Sequence, residues 1–534
     1  MDNGIKPQIA LISVADKTGL IPFAQILHKH NIKILATLGT YKTLKESNIP
    51  CEKIEERLRY PEMLNGRVKT LQAEIFSAIL AKREKSHLQQ LEAYNIQPID
   101  MVVCNFYPFE KTASLPNVSI EKLIENIDIG GPSLVRAAAK NYQYVVVVPD
   151  PKYYNQVAEE LENTGFISLS TRQKLAYSAF SIVAAYDIAI HRELKKYLNP
   201  HELFPEKFFI SATKFEDAKY GENPNQRAAV YKLDGYKTMA EWEQLFGEQR
   251  SFNNYLDIGK AYEILKGFEY TPAAATVKHG NISGFAFAPT LAEAYTLAHE
   301  CDPEADYGCA TVVNRKVDVE SAKLIGKNPG VEDKSVYTEI LIAPDYDLEA
   351  LEILKAKQKK KIRIIKYHEP SNYPYDIRIL EGVLLVQEPT DYNKKLDRSK
   401  LTYPTEEKPD PQTLEKLLAA WELVRKVPSN GIVIADGKVE NGKLTYFWTY
   451  GVASFRKRNG AVKIALDNAG KRAKGAVAAS DGFFPFRDSI DLLGEAGIKA
   501  VIQPGGSIND EKIIEAANEY NIAMVFTHER AFKH

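Results

Sequence analysis

Thr276-Val277-Lys278-His279-Gly280-Asn281 is the stretch whose residue types are best suited to chemistry. It closes an apolar run that begins at Ala273. Successive side chains of a strand point to opposite faces, so Lys278 and His279 serve one pocket only if the extended backbone stops there. Gly280 permits that stop. An ammonium beside an imidazole disfavours the protonated ring and leaves it able to accept a proton, the work of a general base. A strand end with a solvated lysine and a hydrogen-bonded histidine is the alternative for an isolated pair. A second cationic pair, Arg67 and Lys69, lies in Leu64-Asn65-Gly66-Arg67-Val68-Lys69-Thr70-Leu71. Two residues apart, they share a face of an extended segment and suit an oxyanion or a polarised carbonyl, or else form a solvated charged face.

The elements around these residues follow from hydrophobic periodicity. Ile9 to Val14 reads as a buried strand, followed by the loop Asp16-Lys17-Thr18-Gly19 and an amphipathic helix to about His30. Ile32 to Thr37 repeats the arrangement, with Gly39-Thr40 opening the next helix. Two helix N-termini with hydroxyls and glycines suit a phosphate, although hydroxyls also begin ordinary helices. Met101 to Phe109 predicts a strand running into an aromatic turn fixed by Pro108, with Tyr107 in core or site. Ile127-Asp128-Ile129-Gly130-Gly131-Pro132-Ser133 leads into a helix, Leu134 to Asn141, that holds Arg136 and Lys140. With a further strand at Tyr144 to Val148, the alternation predicts a parallel sheet covered on both faces, with sites at the strands' C-terminal ends. A long helical pattern from about Ser170 to Tyr197 ends at Asn199-Pro200, where the domain boundary is expected, giving domains 1–199 and 200–534.

The second half opens with the polar turn Lys219-Tyr220-Gly221-Glu222-Asn223-Pro224 and a helix after Ser251-Phe252-Asn253-Asn254. Thr338 to Pro344 and Gly382 to Val386 read as strands, the lysine-rich segment 355–363 as a solvated helix end, and Pro404 to Pro411 as an exposed linker. Ser507 and Asp510 resemble a capping box. Two loosely similar stretches after Pro200 hint at an internal duplication. The length, 534 residues, suggests two large domains. A formal charge of -1 gives no sequence-wide cationic footprint for nucleic acid. The four cysteines, Cys51, Cys104, Cys301 and Cys309, have no C-x-x-C spacing, and no His/Cys zinc set is visible. No apolar run approaches a membrane span and no leader pattern opens the chain. The expectation is a cytoplasmic protein with no membrane and no nucleic-acid partner.

In this order, Asp16-Lys17-Thr18-Gly19, Gly66-Arg67-Val68-Lys69-Thr70-Leu71, Asn105-Phe106-Tyr107-Pro108-Phe109, Ile127-Asp128-Ile129-Gly130-Gly131, Tyr220-Gly221-Glu222-Asn223-Pro224, Val277-Lys278-His279, Phe483-Phe484-Pro485-Phe486 and Gln503-Pro504-Gly505-Gly506-Ser507 resemble the family of bifunctional purine-biosynthesis proteins that join an IMP cyclohydrolase to an aminoimidazole-carboxamide ribonucleotide transformylase. The likeness covers nearly the whole chain. It implies an α/β protein with an N-terminal methylglyoxal-synthase-like parallel-sheet domain and a C-terminal duplicated cytidine-deaminase-like transformylase domain. It also implies a homodimer with transformylase sites at the interface, 10-formyltetrahydrofolate as cosubstrate, and no metal requirement. By the same likeness His279 takes the proton from the nucleotide's weakly nucleophilic amine, Lys278 stabilises developing charge and Asn430 positions the formyl group. Lys219, Tyr220, Asn254, Gly308, Glu339 and Arg530 match nucleotide-holding positions, and Arg456, Phe483 and Asp488 match the folate side. In the N-terminal domain Lys69, Tyr107, Asp128 and Lys140 match cyclisation residues, with Arg67 beside them, while Ser13, Lys17, Thr18, Thr37, Gly39 and Thr40 match the phosphate cradle.

The sequence departs from the family pattern in several places. Leu38 replaces a glycine of the phosphate loop, where a side chain is expected to crowd the anion. Gln72 and Phe76 stand where histidines are usual. Lys219 replaces an arginine, keeping charge and losing bidentate geometry. Asp306-Tyr307-Gly308-Cys309 replaces a Phe-Gly-Gly turn, and Arg458 rivals Arg456 as the folate-facing arginine. Two alternatives to the bifunctional reading are a transformylase whose N-terminal domain binds nucleotide without cyclising it, and a non-catalytic nucleotide-sensing protein on the same folds.

Overall fold

A computed structural model describes residues 4–58, 60, 63–64, 67–107, 109–326, 338–357 and 362–534. Asn65 and Gly66 of the Arg67-Lys69 motif, Pro108, and 358–361 of the lysine-rich segment lie outside the described residues. The chain divides into two compact units, Met1–Ser211 and Ala212–His534.

The first unit holds five strands: β1 (Ile9–Ser13), β2 (Lys33–Ala36), β3 (Glu52–Lys53), β4 (Met101–Cys104) and β5 (Val146–Val148). Their order is β3-β2-β1-β4-β5, and every pair is parallel. Leu11, Ile12, Val102, Val103, Val146 and Val147 are fully buried, as expected of strands covered by helices on both faces. The helix after β4 and its turn runs Gly130–Lys140, so Gly130, Gly131 and Pro132 form its first turn instead of preceding it. Pro132 fits there because the first-turn N–H groups have no intrahelical acceptor. The long helix spans Leu169–Leu198, with Ser168 capping its first turn.

The second unit contributes β6 (Ala212–Asp217), β7 (Ala229–Leu233), β8 (Glu243–Phe246), β9 (Ala273–Lys278), β10 (Asn281–Phe287), β11 (Cys309–Val313), β12 (Thr338–Ala343), β13 (Arg363–Lys366), β14 (Asp376–Leu380), β15 (Val383–Gln387), β16 (Gly431–Glu440), β17 (Lys443–Ser454), β18 (Val477–Ser480), β19 (Ala500–Gln503) and β20 (Ala523–Phe526). β6 pairs with β7, and β14 with β15, as separate hairpins. The rest form one sheet ordered β20-β19-β18-β16-β17-β10-β9-β11-β12-β13-β8.

That order contains the duplication. In the first repeat β9 is antiparallel to β10 and β11, and β11, β12 and β13 run parallel. In the second, β16 is antiparallel to β17 and β18, and β18, β19 and β20 run parallel. The repeats join through β10 and β17. Each begins with a 14-residue helix, Phe252–Leu265 or Pro411–Val424. Both helices pack on the face that carries Ala273, Ala275, Val277, Val433 and Ala435. The opposite parity, Ala274 and Ile434, faces the other helices.

Two local expectations are corrected. Pro404–Pro411 is not a free linker: Thr405 is fully buried and its hydroxyl accepts the Met524 N–H at 2.8 Å. Ser507 and Asp510 form no capping box, because the helix Asp510–Glu519 is capped at Asn509 and the Asp510 carboxylate turns back to the Gly506 N–H at 2.7 Å.

Candidate active sites

In the first unit, the C-terminal ends of β1 and β2 bring Ser13, Thr37 and Thr40 of the expected phosphate residues together. The Thr37 hydroxyl donates to Ser13 Oγ at 3.2 Å, and buried Thr40 accepts from the Val14 N–H at 3.2 Å. Thr18 is bonded through N–H and hydroxyl to Asp16 Oδ1, which leaves Lys17 exposed beside it. The helices Leu20–Lys29 and Leu38–Glu46 both start without a side-chain cap. Glu55 accepts the Leu38 N–H at 3.2 Å, so a carboxylate already holds one donor of this cradle. Leu38 is exposed at the first position of its helix.

The cyclisation candidates gather around Asp128, at the N-terminus of Gly130–Lys140. Asp128 Oδ1 accepts the Gly131 N–H at 2.8 Å, and its backbone N–H donates to the Tyr186 hydroxyl at 2.7 Å. Burial pushes its carboxyl above the ordinary aspartate value, opposed by the N–H groups of Gly131, Tyr107 and Gly130 and by the charge of Lys69. Tyr107 is 55% exposed, as a group that meets a ligand must be. Val68 forms an antiparallel bridge with Met63, and exposed Arg67 is paired with Glu125. Gln72 is structural: it donates to the Tyr60 carbonyl at 2.9 Å and to the Lys69 carbonyl at 3.3 Å, fixing the segment that presents Lys69. Lys140 ends the helix that Asp128 precedes, and a rise of about 1.5 Å per residue leaves roughly 15 Å between them. It lines a cavity of about 870 Å³ with Phe76, Arg136, Tyr142 and Tyr177. Lys140 and Asp128 therefore stand at opposite ends of this helix.

In the second unit, Lys278 is the last residue of β9 and pairs with Asn281, so His279 and Gly280 are the two central residues of a hairpin turn. Their φ values are +53° and +74°. Two left-handed residues are the signature of a type I′ turn, a position that glycine takes freely and histidine only when held. The holding group is Asp257, on the helix Phe252–Leu265, which accepts the Gly280 N–H at 2.8 Å. Burial raises the Asp257 carboxyl, and the Gly280 N–H and the His279 charge oppose that rise. Lys278 Nζ donates to the Tyr307 carbonyl at 2.7 Å, next to Gly308. Asn254, in the first turn of the same helix, accepts the N–H of the N-cap Ser251 and donates to Glu339 Oε1 at 3.0 Å, which also accepts from buried Arg363 at 3.1 Å. Asp257 and Arg363 were not legible as site residues. Lys219 is paired with Glu248 at 2.6 Å, on the wall of a cavity it shares with Tyr220.

A second cluster forms at the start of β16. Asn430 Nδ2 donates to the Phe455 carbonyl at 3.1 Å, and Arg458 Nη2 donates to Asn430 Oδ1 at 2.7 Å. Arg458 is buried, and its Nη1 reaches Asp481 Oδ1 at 2.6 Å and Ser480 Oγ at 2.7 Å. Arg456, by contrast, is exposed against the Phe455 ring. Phe483 is 40% exposed, and Asp488 accepts from Asn459 at 2.8 Å. The C-terminal tail closes this cluster: Ser429 N–H donates to the Lys533 carbonyl at 2.8 Å, and Ala531 N–H to the Asp481 carbonyl at 2.9 Å. Arg530, also exposed, lies over the Phe532 ring. Asn254 and Asp257 share one helix, and Asn430, Arg458 and Asp481 form a bonded group; Lys533, whose carbonyl accepts the Ser429 N–H, ties that group to the same helix through its ion pair with Glu263.

Residues 138–466 match the family described as AICARFT/IMPCHase bienzyme, and residues 19–133 match the MGS-like domain. A Halalkalibacterium halodurans protein named bifunctional purine biosynthesis protein PurH is 42% identical over 529 residues, 98% of this chain and 99% of that one. A protein of the same name from Acetivibrio thermocellus is 42% identical over 534 residues, again 98% and 99% of the two chains. The solved structure titled Crystal structure of ForH is 33% identical, covers 36% of this chain and 100% of that chain, and has a TM-score of 0.32. With the parallel-sheet first unit, the duplicated second unit and these full-length relatives in hand, the chain belongs to the AICARFT/IMPCHase bienzyme family.

Proposed function

We propose that the chain carries out two consecutive steps of purine biosynthesis. The second unit transfers a formyl group from 10-formyltetrahydrofolate to the amine of 5-aminoimidazole-4-carboxamide ribonucleotide, and the first cyclises the product to IMP with loss of water. The observation that carries the reading is the β9–β10 turn, which holds an imidazole in a left-handed conformation beside an ammonium, with Asp257 behind it.

The amine is conjugated to an imidazole that bears a carboxamide, so it is a poor nucleophile and needs a base at the moment of attack. As nitrogen bonds to the formyl carbon, exposed His279 takes the amine proton; the bond from that carbon to the folate N10 then breaks, and the departing nitrogen receives a proton. Lys278, anchored on the Tyr307 carbonyl, faces the charge that develops on the formyl oxygen. Asn430, held by Arg458, orients the formyl group. Asn254, Glu339, Gly308, Lys219, Tyr220 and Arg530 hold the nucleotide, while Phe483, Asp488 and Arg456 face the folate. In the first unit the Ser13, Lys17, Thr18, Thr37, Gly39 and Thr40 cradle takes the phosphate. Asp128, Lys69, Tyr107 and Arg67 serve the attack of the carboxamide nitrogen on the formyl carbon and the departure of water.

We further propose a homodimer in which residues of two chains complete each site. Among the described residues no helix is long and apolar enough to cross a membrane. Purified protein given the nucleotide and 10-formyltetrahydrofolate should produce IMP, read by its absorbance. Accumulation of the formylated nucleotide without IMP would favour the transformylase-only reading.

A further inference from the structure

Outside both candidate sites, the second unit buries His299, Asp306 and Cys309 together, each with essentially no exposed surface. His299 ends the helix Leu291–His299, Asp306 lies in the turn that follows, and Cys309 opens β11. One ligand atom from each lies within 4.8 Å of the others. His299 Nδ1 and Asp306 Oδ2 approach to 2.8 Å but are not aligned as a hydrogen bond. Nδ1 and both carboxylate oxygens remain buried with no hydrogen-bond partner. Buried polar atoms are nearly always satisfied, and a buried carboxylate without a donor is among the costliest exceptions.

We propose that His299, Asp306 and Cys309 bind one divalent cation of the zinc class. Nδ1, the thiolate and the two Asp306 oxygens supply four donors of mixed N, S and O type, a set that suits zinc and not magnesium or calcium. Binding releases the Cys309 thiol proton to solvent. A dication with one thiolate and one carboxylate is electrically neutral, the state that a closed interior favours. The ring's other nitrogen is already placed for support: His299 Nε2 lies 3.4 Å from Thr311 Oγ1, which is 3.5 Å from Cys309 Sγ. A metal-bound imidazole is characteristically oriented in this way, through its second nitrogen. The site is closed, so its role is to fix the turn that presents Tyr307, whose carbonyl anchors Lys278, and Gly308. No step of formyl transfer passes through it, and the site stands whether or not that turn binds nucleotide.

The test is metal analysis of the untagged full-length protein, purified from zinc-supplemented cells and passed over a mild chelating resin. About one zinc per chain is expected, falling to a small fraction in Cys309→Ser and Asp306→Asn. Cobalt added to metal-stripped protein should produce a thiolate charge-transfer band in the near ultraviolet that Cys309→Ser abolishes. Wild-type protein carrying less than about a tenth of an equivalent of metal, and giving no cobalt band, would overturn the site without recourse to any variant. Zinc retained in full by folded Cys309→Ser would overturn it as well.

Discussion

At the scale of the residue, the argument rests on His279, whose function and backbone strain are separable. Asparagine tolerates a positive φ better than most residues. His279→Asn should therefore keep the turn while removing the base, and the transformylation rate should fall about a hundredfold to ten-thousandfold with cyclisation unchanged. A variant that retains full transformylation would remove His279 from the chemistry. Asp128 makes the opposite compromise. Its carboxyl is raised by burial, so the protonated form is favoured in the folded chain. The stability contributed by that form is complete below the ordinary aspartate value of 3.8 and is lost as pH rises through the higher folded value. Near neutrality the ionised group costs stability. Asp128→Asn should then unfold at the same temperature or a higher one at neutral pH, yet cyclise poorly. In the parent protein, cyclisation should decline on the acid side at a pH above 3.8, a limb that the asparagine variant lacks; calorimetry and pH–rate profiles measure the two effects.

At the scale of the element, Arg458 joins the helix Arg458–Ala469 to β16 and β18 through Asn430, Ser480 and Asp481. Asp481 is fully buried, so Arg458→Met leaves it charged and without its guanidinium. A loss of ~3–5 kcal/mol in denaturant unfolding is expected, the range for breaking one side of a buried pair. Gly482 tests the same packing more gently. A Cβ there would lie 2.5 Å from both Arg458 Nη2 and the Phe532 ring. Gly482→Ala should therefore lower transformylation through Asn430 while leaving cyclisation intact, as separate assays of the two steps would show. Elements with strong periodicity, such as Ile9–Ser13 and Leu169–Leu198, were legible in sequence because local pattern and burial agree. The duplication was only hinted at, since its two halves share strand order and helix placement more than residues. Asp257 and Arg363 were not legible, because each acts through a partner that the fold, and not chain proximity, brings near; the His299 cluster is local in sequence, but its spacing matches no familiar metal motif. Arg458 was visible as a rival to Arg456, and burial separates them: a guanidinium bonded to three side chains positions a loop, whereas an exposed one remains available to a ligand.

At the scale of the whole molecule, Lys278 and His279 lie at the β9–β10 turn and Asn430 at the start of β16. If two chains complete each transformylase site, one supplies the His279 cluster and the other the Asn430 cluster. A chain carrying His279→Ala and a chain carrying Asn430→Ala are each inactive alone. In a mixed dimer, one composite site receives both substitutions and the other receives neither. Random pairing makes half of the dimers mixed, so co-expression should restore about a quarter of wild-type transformylase activity. Two chains that each carried a complete site would show no restoration, since every site would then contain one substitution. Cyclisation provides an independent reading of the same assembly. Lys140 lies roughly 15 Å along its helix from Asp128, so Lys140→Ala mixed with Asp128→Asn should complement in the same proportion if Lys140 acts on the partner's substrate. Failure to complement, with both variants folded and dimeric by light scattering, would assign Lys140 to the wall of its own cavity instead of the reaction.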